Sequence, residues 1–171
     1  MENKTVKLYN AFFPFWMFFL FPVTWLIAIP ANFLIDSLVL VIGMYVIKVS
    51  NKKQVYRKSI VKVVIFGFLS DFIGMGLMFL LDWLCSFSDD VMFEDISHAL
   101  VFNPFENPVA LIYTIGCLIV IGFFIYWFDK KVAFRKVDIS ELEKKKLALT
   151  MAVFTTPYII IVPTGWFVTW Y

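Results

Sequence analysis

Long apolar runs separated by short charged stretches dominate the sequence. Each run can cross a hydrocarbon layer of about 30 Å, which takes roughly 20 helical residues. The runs contain no lysine or arginine in their interiors. We therefore predict an all-α integral membrane protein, a single domain with five transmembrane helices. The predicted spans are residues 8–29, 31–47, 63–84, 108–128 and 147–168.

Only a short segment separates the first two predicted spans. Pro30 disfavours a helical conformation in the residue before it, and Asn32 is a good residue to cap the start of a new helix. This pattern predicts a tight hairpin that turns at the outer face of the membrane.

The composition excludes an ordinary soluble domain. Hydrophobic residues make up 61% of the chain and charged residues 16%. Soluble domains average about 45 to 50% apolar and about 25% charged residues, because their surface must be hydrated. The lipid bilayer is therefore the first predicted partner, and the net charge of +2 is too small to indicate nucleic-acid binding.

The distribution of charge predicts the orientation. Lysine and arginine are confined to the N-terminus and to the segments 48–62 and 129–146, whereas segment 82–106 is acidic and has none. The positive-inside rule places the basic segments in the cytoplasm and the acidic one outside. With five spans, the N-terminus is then cytoplasmic and the C-terminus external. Lysine far outnumbers arginine, which we interpret as a sign of an AT-rich bacterial genome and a bacterial cytoplasmic membrane.

The acidic outer loop contains a further predicted helix. Apolar residues recur at close to helical spacing over residues 89–102, and acidic residues fall between them. This pattern is typical of an amphipathic helix that lies on the outer leaflet or over the helix bundle.

Carboxylates inside the predicted spans are the most informative polar residues, because a charge at bilayer depth is costly and is often functional. Asp71 lies about 12 Å from the cytoplasmic side and Asp36 about 8 Å from the outer side, counted at 1.5 Å per residue. Depth counting predicts two polar layers. One contains Ser70, Asp71, Thr155 and Thr156, and the other Thr24, Asp36, Tyr113 and Thr164. The layers either hold helices together by hydrogen bonds or form a proton or ion path.

Small residues in the third span predict close helix packing. Ser70 and Gly74 have the spacing of a small-xxx-small motif, and Gly67 extends the same face. Gly67, Ser70 and Gly74 therefore form a predicted packing seam next to Asp71.

The sequence offers little material for a metal, cofactor or catalytic site. It has one histidine, and its two cysteines, Cys85 and Cys117, are far apart in the chain. We predict no cofactor, no metal and no catalytic residue. The difference in depth between the cysteines predicts two free thiols.

Three functions fit these observations. The first is an accessory or scaffold subunit of a membrane complex. The second is a small transporter or channel, acting as a homo-oligomer, with a proton or cation path through Asp71 and Asp36. The third is an intramembrane aspartyl enzyme, which requires the same two carboxyl groups within about 3 Å of each other.

Overall fold

The computed structural model describes residues 22–88 and 90–164, and these residues form helices and no strands. Five α-helices are joined by short turns. They are α1 (Pro22–Val46), α2 (Lys52–Cys85), α3 (Val91–Phe102), α4 (Pro108–Phe128) and α5 (Glu141–Thr155). A π-helical turn, Asp129–Ala133, extends α4, and 3-10 turns follow α3 and α5 at Pro104–Glu106 and Tyr158–Ile161.

Three of the described helices are long and apolar enough to cross a membrane. They cover Val23–Val46, Lys52–Cys85 and Pro108–Ala133. They account for the predicted spans 31–47, 63–84 and 108–128 and confirm the all-α class. The count of five spans and the orientation stay predictions.

The predicted hairpin at Pro30 is wrong. Pro30 lies inside α1, and residues 22–46 form one continuous helix. A proline is tolerated in an apolar helix when neighbouring helices and small backbone adjustments satisfy the carbonyl group that the proline leaves unpaired. Because α1 packs against both α2 and α5, this environment is present. Residues 8–21 of the first predicted span lie outside the described residues.

The fifth predicted span, 147–168, is also wrong as one continuous helix. α5 ends at Thr155, and Thr156 has φ −57° and ψ 134°. The ring of Pro157 causes this break, because the residue before a proline is pushed out of the helical conformation. The chain continues as a 3-10 turn at Tyr158–Ile161, and residues 165–168 lie outside the described part.

Four of the described helices enclose a common core. α1 packs against α2 and α5, and α4 packs against the same two helices, so that the four close into a ring. Leu40, Met75, Ile121 and Leu147, one from each helix, are fully buried. Burial of such side chains between helices is what holds the bundle together.

The ends of the bundle differ in charge. Lys58 in α2 lies 3.9 Å from Asp138 in the α4–α5 loop, so the two basic segments share one end. At the other end the backbone N–H of Thr164 donates to the Phe102 carbonyl at 2.8 Å, which joins the last described residues to α3. The bundle therefore has a basic end and an acidic end.

The acidic-end helix is close to its predicted position. α3 covers Val91–Phe102, and the Asp90 side chain caps it by accepting from the backbone N–H of Met92 at 3.0 Å. Ile96, Ala99 and Leu100 are buried, and the helix packs against α2 and α4. α3 thus covers one end of the bundle.

Side-chain caps fix the start of α5. The Ser140 hydroxyl accepts from the backbone N–H of Glu143, and the Glu143 carboxylate accepts from the backbone N–H of Ser140 at 2.7 Å. Hydrogen bonds from Ser140 hold the pKa of Glu143 below its ordinary value. A carboxylate with a lowered pKa stabilises the fold above its ordinary pKa, and this contribution is lost as the pH falls through the lowered value.

The two cysteines are free and buried, which confirms the prediction of two thiols. Cys85 ends α2, and Cys117 lies in the middle of α4.

Candidate functional site

A cavity opens where α1, α2 and the end of α5 meet. Its volume is about 280 Å³, and residues of all three segments line it. Its polar side chains come from Asn32, Asp36, Asp71, Thr155, Thr156 and Tyr158. The break in α5 at Pro157 is part of the wall, so backbone groups that a continuous helix would use internally lie next to the cavity.

Asp71 is one of two buried carboxylates that line this cavity. It is 5% exposed. The amide nitrogen of Asn32 donates to its Oδ2 at 3.3 Å, whereas its Oδ1 has no hydrogen-bond partner among the described residues. A buried polar atom without a partner is costly, so Oδ1 marks a position where a proton or a cation would be stabilising.

Asp36 is the second buried carboxylate, and it is also 5% exposed. It lies one helical turn after Asn32 on α1, and it lines the same cavity as Asp71. A Cβ atom at Gly67 would lie 3.4 Å from Oδ2 of Asp36, so the absence of a side chain at Gly67 leaves space for this carboxyl group. No hydrogen bond joins Asp36 to Asp71 in the described part of the chain.

The threonine hydroxyls are oriented towards their own helix. Thr155 donates to the Met151 carbonyl at 2.8 Å, and Thr156 donates to the Ala152 carbonyl. Their protons are therefore in use, and what the hydroxyls can offer the cavity is oxygen lone pairs. Such oxygens accept hydrogen bonds from water or coordinate a cation.

The remaining residues of the predicted layers lie elsewhere. Ser70 is fully buried and donates to the Phe66 carbonyl at 2.7 Å. The Tyr113 hydroxyl donates to the Leu77 carbonyl at 2.6 Å and links α4 to α2. The Thr164 hydroxyl donates to the Val101 carbonyl at 3.1 Å. The Ser70 bond stays within α2, whereas the bonds of Tyr113 and Thr164 join separate elements outside the cavity.

The structure places Asp36 and Asp71 in one cavity, although depth counting assigned them to different layers. The count started at residues 31 and 63, whereas α1 begins before Pro30 and α2 begins at Lys52. Both helices thus extend beyond the residues from which the count started, and this shifts both depths. Helix periodicity alone could have grouped Asn32 with Asp36, because residues four apart share a helix face.

The sequence analysis also missed a third buried carboxylate, Asp129. It is 1% exposed, and its Oδ2 has no hydrogen-bond partner within the described residues. In the sequence it belongs to the basic segment 129–146, since Lys130 and Lys131 follow it. Helical spacing could have indicated its burial, because Asp129 lies four residues after Ile125 and eight after Ile121, on the apolar face of the helix.

The predicted packing seam faces two neighbours. Gly74 lies against Ile121 of α4, and Gly67 lies against Asp36 of α1. The small residues of α2 therefore allow close approach on two sides of the helix.

Comparison with known proteins gives no family: no protein-family model, no curated protein and no solved structure matches this chain. In the described residues, no group of three His, Cys, Asp or Glu side chains is placed to hold a metal ion.

Proposed function

We propose that the protein is a small membrane transporter or channel that moves protons or monovalent cations along a path containing Asp71 and Asp36. The observation that carries this proposal is the Oδ1 atom of Asp71, a buried carboxylate oxygen that lies beside a cavity and has no partner among the described residues. No lysine or arginine in the described residues forms an ion pair with either carboxylate. Uncompensated acids at bilayer depth are typical of ion and proton pathways.

The interrupted α5 supports the same proposal. Transporters commonly build midplane binding sites from broken helices, whose freed carbonyl groups coordinate protons or cations. Here the break at Pro157 lies beside the cavity that contains Asp36 and Asp71.

The other two functions stay predictions. An accessory subunit was the first function that the sequence suggested, but that function gives no reason for a buried carboxylate oxygen that has no partner among the described residues. We therefore prefer transport. An aspartyl enzyme would need Asp36 and Asp71 to share a proton, and transport does not.

The proposal is tested with the purified full chain in lipid vesicles. We expect a pH gradient, a K⁺ gradient or a Na⁺ gradient to drive a measurable flux above that of vesicles without protein. Internal dyes specific for each ion report the flux. Background rates for all three ions would contradict the proposed function.

We also infer that the basic end of the bundle faces the cytoplasm of a bacterial cell, as the charge pattern indicates. The inference on orientation gives a labelling prediction. In a protein whose two native cysteines are replaced by alanine, Lys53→Cys and Lys136→Cys should react with a thiol reagent only after the cells are permeabilised. Asp95→Cys should react in intact cells. All three residues are exposed, so equal labelling of all three from outside would contradict the orientation.

A further inference from the structure

Asp129 occupies a position where the helix otherwise carries small or apolar residues. Residues 117, 121, 125, 129 and 133 follow one another at intervals of four along α4 and its π-helical turn, and all are buried. The others are Cys117, Ile121, Ile125 and Ala133. An acid in such a stripe costs folding energy that an apolar residue would not cost. Its presence indicates a chemical role.

The neighbouring lysines do not neutralise Asp129. The Lys130 ammonium lies 5.6 Å from the centre of the Tyr126 ring, and Lys131 is exposed. No ion pair to Asp129 occurs in residues 22–88 and 90–164. Oδ2 of Asp129 also lacks a hydrogen-bond partner there, so one oxygen of this buried carboxyl group is available to a proton.

Asp36 connects Asp129 to the cavity. The ring of Phe128, the residue before Asp129, stacks on the ring of Phe66 in α2 at a centroid distance of 4.9 Å. The next residue of α2, Gly67, lies against the Asp36 carboxyl group. Asp36 and Asp71 lie on α1 and α2, and Asp129 is the first residue of the π-helical turn that extends α4 towards the basic end. They therefore form a series of buried carboxyl groups that leads from the cavity towards that end.

We propose that Asp129 is the residue that exchanges protons between the cavity and the solution at the basic end, and that the transported species is the proton. This inference rests on the proposed function and names its substrate. In each step a proton leaves the carboxyl group of one residue and binds the carboxylate of the next, so that one O–H bond breaks, another forms and no electron is transferred. A proton binds to a single carboxylate. A series of single carboxyl groups is therefore sufficient to pass it along the path.

The test compares proton flux and thermal stability of Asp129→Asn, Asp129→Glu and wild type in vesicles with a pH gradient. Asparagine keeps the shape but cannot release a proton. We expect Asp129→Asn to lower the flux at least about tenfold and Asp129→Glu to retain it, with no loss of melting temperature in Asp129→Asn. Asp138→Asn is the control, because Asp138 is an exposed carboxylate of the adjoining loop, and its flux should equal that of wild type.

The two proposals fail differently. Wild-type flux in Asp129→Asn, combined with loss of flux in Asp71→Asn, would overturn the role of Asp129 and leave the proposed function intact. Absence of proton flux in wild type would overturn the assignment of the proton, and absence of flux of every ion would overturn the proposed function.

If Asp129→Asn does not fold, wild type itself provides the test. An apolar carbodiimide reacts with protonated carboxyl groups in the membrane, and mass spectrometry locates the adduct. A modified Asp129 with loss of flux supports the proposal. Wild-type flux with Asp129 fully modified overturns it.

Discussion

Asp71→Asn is expected to lower ion flux by about a hundredfold while the melting temperature in detergent stays the same or rises. Asparagine keeps the size of the side chain and can still accept the hydrogen bond that Asn32 donates to Oδ2. It cannot bind and release a proton. No described lysine or arginine pairs with Asp71, and removal of such a buried acid relieves a cost of folding, which is why stability should not fall with activity.

Two further variants separate transport from packing. Asp71→Leu also removes the acceptor for Asn32 and should lose on the order of 1 kcal/mol of stability in addition to the flux. Asp82→Asn is the matched control, because Asp82 is an acid of the same helix that accepts a hydrogen bond from Ser97 at 2.6 Å, away from the cavity. Its flux should equal that of wild type. Wild-type flux in Asp71→Asn would contradict a role of Asp71 in transport. Its role would then be to hold helices together beside the packing seam.

The second large effect is expected on stability. Gly74→Ala should lower the free energy of unfolding by about 1 to 3 kcal/mol. A Cβ atom at Gly74 would overlap Cδ1 and Cγ1 of Ile121. Ile121 is fully buried, so it has little room to move away, and α2 and α4 would have to separate. Thermal unfolding in detergent measures the loss.

Gly76→Ala is the control for this prediction. A Cβ atom at Gly76 meets nothing within 4 Å, and alanine is a better helix former than glycine by about 0.5 to 1 kcal/mol. Its stability should therefore be unchanged or increased. Ile121→Ala should partly rescue Gly74→Ala, because it removes the two overlapping atoms. The double variant should therefore lose less free energy of unfolding than the two single variants lose in sum. Equal melting temperatures for Gly74→Ala and wild type would contradict the packing described for this seam.

The sequence predicts helices well where hydropathy alone determines them. The fourth span was predicted as 108–128, and α4 covers Pro108–Phe128. Proline residues were harder to interpret. Pro30 was expected to end a helix and does not, whereas Pro157 was expected inside a span and ends α5. The outcome depends on whether neighbouring helices satisfy the freed carbonyl group, and a sequence pattern does not contain that information.

The site was predictable only in part, for a related reason. Asp36 and Asp71 were selected because an acid in an apolar run is costly, and this criterion needs no tertiary structure. Their presence in one cavity depends on where α1 and α2 begin, which depth counting placed incorrectly. Asn32 was interpreted as a cap, although it donates to Asp71. Asp129 was missed because lysines mask it in sequence, whereas its burial is set by packing against α2 and α5.

Proton uptake by vesicles with the Asp36→Asn/Asp71→Asn double variant tests the central claim most directly. Wild type and double variant are reconstituted in equal amounts, and a pH-sensitive dye inside the vesicles follows uptake under the same pH gradient. We expect wild type to take up protons well above the rate of empty vesicles and the double variant to match the empty vesicles. Equal uptake by wild type and the folded double variant would contradict a path through these carboxyl groups.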